Sequence, residues 1–512
     1  MTLLLFASIL IPLLAGLVLT LPCFPPCRFN AVTALCHLSL AAGIGLGVVS
    51  CLYFLAMLPS QAGVLFYLDA TLAVCLTVLA AFLYKKGFLR REGILSPEEN
   101  KPLRYGRIFP ILFTGTLVSA LISIVIAFLK EPHGKWDAWV IWNLHARFIL
   151  RGGEHWRDFL ASGLDWTHLD YPLLIPLSVV RMWKYAGSET LYGPIFLSVL
   201  FMLAVAGLLV FTLTILRSRS QGYLSGLVLM GSPYFLDLSA SQFADIPLAF
   251  YFLATLVVFF LHDRVSDRHD YPLMLAGLTA GLAAWTKNEG LLFLFIVPVV
   301  RFVFINRSKG CKRALRQALW FMAGALPVVT VIALFKIQMA PSSDIFTGQG
   351  LQQMIDKLTD LHRLGQISLA YLQTAVTFTQ GTVNIRTGFR FNPGVAGVIL
   401  LTLYMVLMGV RVQAQDRPAL LTAAVVLIAM LAGYFGIYLI TPHDLHWHLM
   451  TSLNRLFIQL WPSAVLLCFI ITLTPEQALA RSISGKAHLS LSGPDVSSKA
   501  TKKTTGKQKR RP

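Results

Sequence analysis

The chain has 512 residues, 56% of them hydrophobic and only 13% charged, with a mean hydropathy of +0.68. That balance excludes a soluble globular protein, because a water-facing domain of this length cannot hide so much apolar surface; the bilayer is its solvent. The net charge of +19 would point to nucleic acid in a soluble chain. Here the basic residues fall between apolar runs, where they set orientation in a membrane, so nucleic acid is excluded as a partner.

Apolar runs of about 20 residues recur, the length an α-helix needs to cross roughly 30 Å of hydrocarbon while satisfying its own backbone. They predict an all-α polytopic membrane protein with about thirteen transmembrane helices, near 2–21, 31–57, 64–84, 108–129, 192–216, 222–239, 245–261, 272–286, 290–306, 317–338, 394–412, 418–440 and 455–474. The first run lacks a basic start, and the Cys23-Phe24-Pro25-Pro26-Cys27 that follows is no small-residue cleavage site. It therefore reads as a helix and not a signal peptide. Every second loop is basic: Lys85, Lys86, Arg90, Arg91, Lys101, Arg104 and Arg107; Arg217 and Arg219; Arg264 and Arg268; Arg307, Lys309, Lys312, Arg313 and Arg316. The positive-inside rule then places the N-terminus outside and the C-terminus in the cytoplasm.

Three stretches follow from this pattern. Residues 1–107 form a three-helix membrane segment with a basic cytoplasmic loop, 108–475 carry the candidate chemistry, and 476–512 form a basic tail. The tail is too polar to bury apolar surface and reads as disordered, an anchor for topology beside anionic headgroups. The seven cysteines imply no disulfide framework, and the Cys23/Cys27 pair has no partner pair for a metal.

On the outer face this topology leaves two long segments, roughly 130–191 and 339–393, and a short one at 441–454. The first holds Trp136, Trp139, Trp142, Trp156 and Trp166 beside Asp137, Glu154, Asp158, Asp165, Asp170 and Glu189. Tryptophan suits a membrane interface, being apolar at one edge and hydrogen-bonding at the other. From Ala138 to Arg151 the polar Asn143, Arg147 and Arg151 recur every four positions, the period of a helix lying in the interface. Three ionisable residues stand at outer helix ends: Asp245 begins a crossing, Lys287 ends one, and Arg455 starts the last. Charge at that depth is costly and marks either a functional group or an interhelical pair. His443, His446 and His448 cluster with Asp444, which reads as a headgroup-facing loop or a metal site, since clustering alone implies no ligand geometry.

At these residues the chain resembles the GT-C superfamily of membrane glycosyltransferases, which take a sugar from a polyprenyl phosphate carrier, and within it the protein O-mannosyltransferase and aminoarabinose (lipid A) transferase branch. Asp137 in Trp136-Asp137-Ala138-Trp139 matches that family's acidic residue early in the first large outer loop. Asp170-Tyr171-Pro172-Leu173-Leu174 resembles its proline-containing motif, with Asp170-Tyr171 where the aminoarabinose branch has lysine and proline. Asp245 with Pro247, Thr286-Lys287, and the helix led by Arg455 resemble three later elements, although Asn288 and Glu289 intervene before Gly290. The likeness runs from about 108 to 475, and the first three helices lie ahead of it.

The resemblance implies a GT-C-like bundle with interfacial helices in the first outer loop, and a glycosyltransferase that moves a sugar from a polyprenyl (dolichyl or undecaprenyl) monophosphate to a lipid, glycan or protein acceptor by inverting displacement. Asp137 would be the catalytic base, its carboxyl shielded by Trp136 and Trp139; the alternative is a cap on the interfacial helix. Lys287 and Arg455 would bind the phosphate, and Asp170 and Asp245 would orient the acceptor, position a divalent cation or fix the lysine. Tyr171, Trp142 and Trp166 offer rings for the sugar. No cofactor is implied beyond that divalent cation, and no nucleotide-binding loop is present. The site would face the periplasm or exterior of an inner-membrane protein. A transporter or flippase of lipid-linked saccharide is the main rival, though such proteins favour midplane sites and internal repeats. An oligosaccharide ligase with a late outer loop, and a non-catalytic scaffold indifferent to loss of Asp137, are the others.

Overall fold

The computed structural model describes residues 2–22, 30–59, 64–87, 106–265, 269–343, 349–380, 383–384, 390–391 and 397–481. Cys23, Cys27, the whole 88–105 loop, Arg268 and the tail from 482 onward lie outside them. The described chain is all-α apart from a two-residue antiparallel ladder pairing Val383–Asn384 with Arg390–Phe391.

In chain order the helices are α1 (Thr2–Thr20), α2 (Ala31–Met57), α3 (Val64–Lys85), α4 (Ile108–Lys130), α5 (Asn143–Gly152), α6 (Leu174–Ala186), α7 (Tyr192–Leu216), α8 (Arg219–Met230) and α9 (Pro233–Ala240). They continue with α10 (Asp245–Val265), α11 (Leu273–Thr286), α12 (Asn288–Lys309), α13 (Cys311–Gln338), α14 (Leu351–Thr359), α15 (Leu361–Thr377), α16 (Gly397–Met408), α17 (Arg417–Ile440) and α18 (Leu445–Ile471). Among the described residues ten helices are long and apolar enough to cross a membrane; α11 and α16 are apolar but shorter. The predicted crossing at 222–239 is divided, because Gly231 and Ser232 end α8 and Pro233, which lacks an N–H, starts α9 at its first position. The last crossing begins ten residues before the predicted start: the Asp444 side chain accepts a hydrogen bond from the Trp447 N–H at 2.8 Å and caps the helix there. Arg455 is therefore about 15 Å into α18 and does not open it.

α10 is the axis of the bundle, buried from Asp245 to His262. At 21 residues it spans about 30 Å and carries a charged cluster at each end, Asp245 at the start and His262, Asp263 and Arg264 at the finish. At the finish Arg301 donates to Asp263 at 2.5 and 2.9 Å, Arg264 holds Asp416 with two bonds, and Arg313 and Arg316 pair with Asp270. Small residues bring α11 against α13: a Cβ on Gly277 would lie 1.8 Å from the Phe321 carbonyl oxygen, and one on Gly324 would lie 1.8 Å from that of Met274. Backbone packs on backbone there, as membrane helices do without a hydrophobic drive between them.

The three N-terminal helices pack into this bundle. Tyr251 of α10 donates to the Gly43 carbonyl at 2.7 Å, and Trp285 of α11 donates to Ser50 at 3.0 Å. Arg181 of α6 forks onto Asp69 of α3 at 2.8 and 2.9 Å while its Nε reaches the Ser8 carbonyl of α1 at 2.7 Å.

The 130–191 segment does contain short helices, but the chain enters them through a five-residue π turn, Ala138–Trp142, in which the Asn143 N–H donates to the Ala138 carbonyl. That wider turn rotates the faces away from the simple four-residue period. Asn143 is consequently buried and donates to Gln242 at 3.0 Å, Trp142 is buried, and Trp139 points outward. Arg147 and Arg151 keep the expected polar side and share Glu189.

Candidate active site

Four chain segments bring the predicted residues to one end of α10. The turn Gly134–Trp136 leads to Asp137, which has helical dihedrals (φ −62°, ψ −28°) and makes no capping bond, so the cap reading is overturned. Gln242, held at φ +61° and bonded to Asn143 and the Pro132 carbonyl, turns the chain into α10 at Asp245. Lys287 is a single extended residue (φ −159°, ψ 156°) between α11 and α12, which leaves Glu289 in the first turn of α12, where the helix dipole favours a carboxylate. Arg455 and Gln459 sit one turn apart on the same face of α18.

These residues form an alternating chain of charge. Arg455 Nη2 lies 2.7 Å from Asp137 Oδ2 and donates to Asp245 Oδ2 at 2.9 Å, with Nε to the same oxygen at 3.1 Å. Asp245 Oδ1 accepts from Lys287 Nζ at 3.3 Å and from the Gln459 amide at 2.6 Å. Lys287 Nζ in turn lies 2.8 Å from Glu289 Oε1. The order is thus acid, base, acid, base, acid, from Asp137 to Glu289, with fully buried Asp245 in the middle. The Tyr434 hydroxyl donates to Gln459 Oε1 at 3.0 Å and so aims the amide NH2 at the carboxylates.

Asp170 belongs to a second group beside the first. Its Oδ2 accepts from Asn288 at 2.7 Å, and Lys336 donates to its backbone carbonyl at 2.5 Å and to Asn288 Oδ1 at 2.9 Å. Tyr171 links the two groups, with Lys287 Nζ 6.0 Å above its ring. That ring stacks with Trp142 (5.6 Å between centroids) and His168 (4.8 Å), so it is committed to protein and offers its hydroxyl instead of a face. Trp142 itself is buried and cannot receive a sugar, while Trp166 is exposed. Nor do the neighbouring tryptophans shield Asp137: Trp136 and Trp139 are 61% and 45% exposed, and the neighbour that engages its carboxylate is Arg455.

The electrostatics follow from this packing. Burial alone would lower the Lys287 pKa, but Asp245 and Glu289 more than offset it and hold the ammonium above its usual value. Burial, reinforced by the Glu289, Asp170 and Asp137 carboxylates, pushes the Tyr171 phenol well above the usual tyrosine range, so it stays a donor. Nearby in α5, burial and the neighbouring His168 lower His145 to about 3, leaving it neutral.

All six predicted site residues lie in these two linked groups. Sequence reading missed Glu289, Asn288, Gln459, Tyr434 and Lys336. The first two stood inside the quoted Lys287 motif, and Gln459 follows Arg455 by four residues, a spacing that marks a shared helix face; nothing in the sequence singles out Tyr434 or Lys336. His443 and His448 stay close, with ring centroids 5.8 Å apart and His448 bonded to Thr441 at 3.0 Å, yet among the described residues no group of three His, Cys, Asp or Glu is placed to hold a metal.

No protein-family model and no curated protein sequence matches the chain. Two solved structures of ArnT from Cupriavidus metallidurans are similar to it. The one bound to undecaprenyl phosphate has 14% identity and a TM-score of 0.41, covering 74% of this chain and 64% of that one. The apo structure has 15% identity and a TM-score of 0.36, covering 74% and 62%. The chain spans less than two thirds of the length of the ArnT chains it is similar to.

Proposed function

We propose that the protein is a membrane glycosyltransferase that moves a sugar from a polyprenyl monophosphate to an acceptor hydroxyl on the non-cytoplasmic face. The observation that carries the reading is the convergence of Asp137, Asp245, Lys287 and Arg455, drawn from across the chain, into one linked cluster. In the proposed reaction the acceptor O–H gives its proton to Asp137 as its oxygen bonds the anomeric carbon. The carbon–oxygen bond to phosphate breaks on the opposite side, its electron pair stays with the phosphate, and configuration inverts. Lys287 and Arg455 stabilise that growing charge, an effect largest in a water-poor site with prepositioned donors. Asp245 and Gln459 hold the two cations in place, and Asp170 and the Tyr171 hydroxyl orient the substrates.

Sidedness supports the same reading. The cluster sits where α10 and α12 begin, while Arg264, Arg307, Lys309, Arg313 and Arg316 lie at the other ends of α10, α12 and α13. The positive-inside rule puts the latter in the cytoplasm and the cluster outside, with the C-terminus cytoplasmic. Activated sugar nucleotides stay inside the cell, which favours a lipid-linked donor.

The test is to incubate the purified protein in nanodiscs with a panel of radiolabelled polyprenyl phosphosugars and suitable acceptors. Release of free polyprenyl phosphate with at least one donor is expected. Release with none, together with translocation of a larger lipid-linked glycan, would make the protein a transporter.

A further inference from the structure

The cations assigned to the donor phosphate are already occupied. A guanidinium has two edges for bidentate binding, Nε with Nη2 and Nη1 with Nη2. In Arg455 the first edge is taken by Asp245, and Asp137 lies 2.7 Å from the nitrogen shared by both edges. An incoming phosphate that reaches Nη2 from the second edge therefore meets the Asp137 carboxylate. Lys287 is likewise held between Asp245 and Glu289.

The two carboxylates on Arg455 are not equally replaceable. Asp245 is fully buried, starts α10, and also binds Lys287 and Gln459, so its departure would strand two buried cations. Asp137 keeps 18% of its side chain exposed, and among the described residues Arg455 is its side-chain partner. It can leave at little cost.

We propose that the donor phosphate displaces Asp137 from the outer edge of Arg455, so that the base is freed for the acceptor only once the donor is seated. The inference rests on the glycosyltransferase reading and adds to it an order of binding, donor first. It also makes Asp137 an antagonist of donor binding as well as the base for transfer. A carboxylate left in place would repel the phosphate; once displaced, it stands beside the anomeric centre with its lone pairs free.

The experiment is equilibrium binding of undecaprenyl phosphate to the full-length protein in nanodiscs of zwitterionic lipid. Wild type is compared with Asp137→Asn, Asp137→Ala and Asp137→Glu, and with Asp137→Asn in an Arg455→Lys background. Both neutral variants are expected to bind about tenfold more tightly than wild type, a coupling of ordinary size for two ligands sharing one site. Asp137→Glu, which keeps the charge, should return to within about threefold of wild type. In the Arg455→Lys background the gain should vanish, because an ammonium has no shared edge to release. Equal or weaker binding by the neutral variants overturns the exchange, as does a full gain in the Arg455→Lys background, which would mean diffuse charge repulsion. No binding by wild type or any variant overturns the donor assignment, and the exchange with it.

Discussion

Asp245 and Asp137 both touch Arg455, yet removing their charges should have opposite signatures. Asp245→Asn keeps the shape but leaves Arg455 and Lys287 buried with one carboxylate partner each, Asp137 and Glu289. Breaking a buried charge pair by neutralising one member costs about 3–5 kcal/mol. With an unfolding entropy of about 2 cal/mol/K per residue, a chain of this size should lose roughly 3–5 °C in its melting midpoint. Asp137→Asn removes one partly exposed partner and should move the midpoint by less than about 1 °C. Thermal melting in one detergent, followed by the intrinsic fluorescence of the buried tryptophans, gives both midpoints, and polyprenyl phosphate release gives activity. Asp245→Asn should lose stability and activity together, and Asp137→Asn activity alone. An Asp245→Asn protein as stable as wild type would refute the view that Asp245 is the centre of the charge chain.

Tyr434→Phe should lower kcat about fivefold with little change in midpoint, because the hydroxyl that aims the Gln459 amide costs about 1 kcal/mol to lose; a steady-state rate equal to wild type would remove that role. Arg181→Met should release α3 and α1 from α6 and cost about 3–5 kcal/mol, read as a melting midpoint lower by roughly 3–5 °C; Asp69→Asn should do the same. His145 has a folded pKa of about 3 against an unfolded value near 6.5. Its contribution is therefore intact above about pH 6.5 and declines as the pH falls toward 3, by about 2 kcal/mol at pH 5. Melting from pH 7.5 to 5 should show that decline in wild type and a weaker one in His145→Gln.

Much of the architecture is legible because a membrane helix must be long, apolar and self-satisfied, which writes itself into the sequence as runs. Asp137, Asp170, Asp245, Lys287 and Arg455 stand out for the complementary reason: charge beside such runs is costly and needs an explanation. What the runs do not encode is local geometry. The start of α18 depends on one capping bond from Asp444, and it moves Arg455 from a helix end to a helix interior. The π turn before α5 reverses which of Trp139 and Asn143 is buried. Partners are equally hidden: Glu289 reads as an interruption in a motif until Lys287 is seen 2.8 Å away. Lys336 near the end of α13 looks like a snorkelling side chain, yet it bonds Asp170 and Asn288. The three N-terminal helices lie ahead of the region of resemblance, and only their contacts through Gly43, Ser50 and Asp69 reveal how they join the bundle.

In the proposed reaction one charge cluster, at the end of α10 opposite the arginine-rich pole, receives a lipid-linked phosphate. A structure solved in nanodiscs with undecaprenyl phosphate decides whether it does. Phosphate density is expected within about 4 Å of both Lys287 Nζ and the Arg455 guanidinium, with Asp137 moved off the arginine. Phosphate bound instead beside Arg313 and Arg316 at the opposite pole would contradict it.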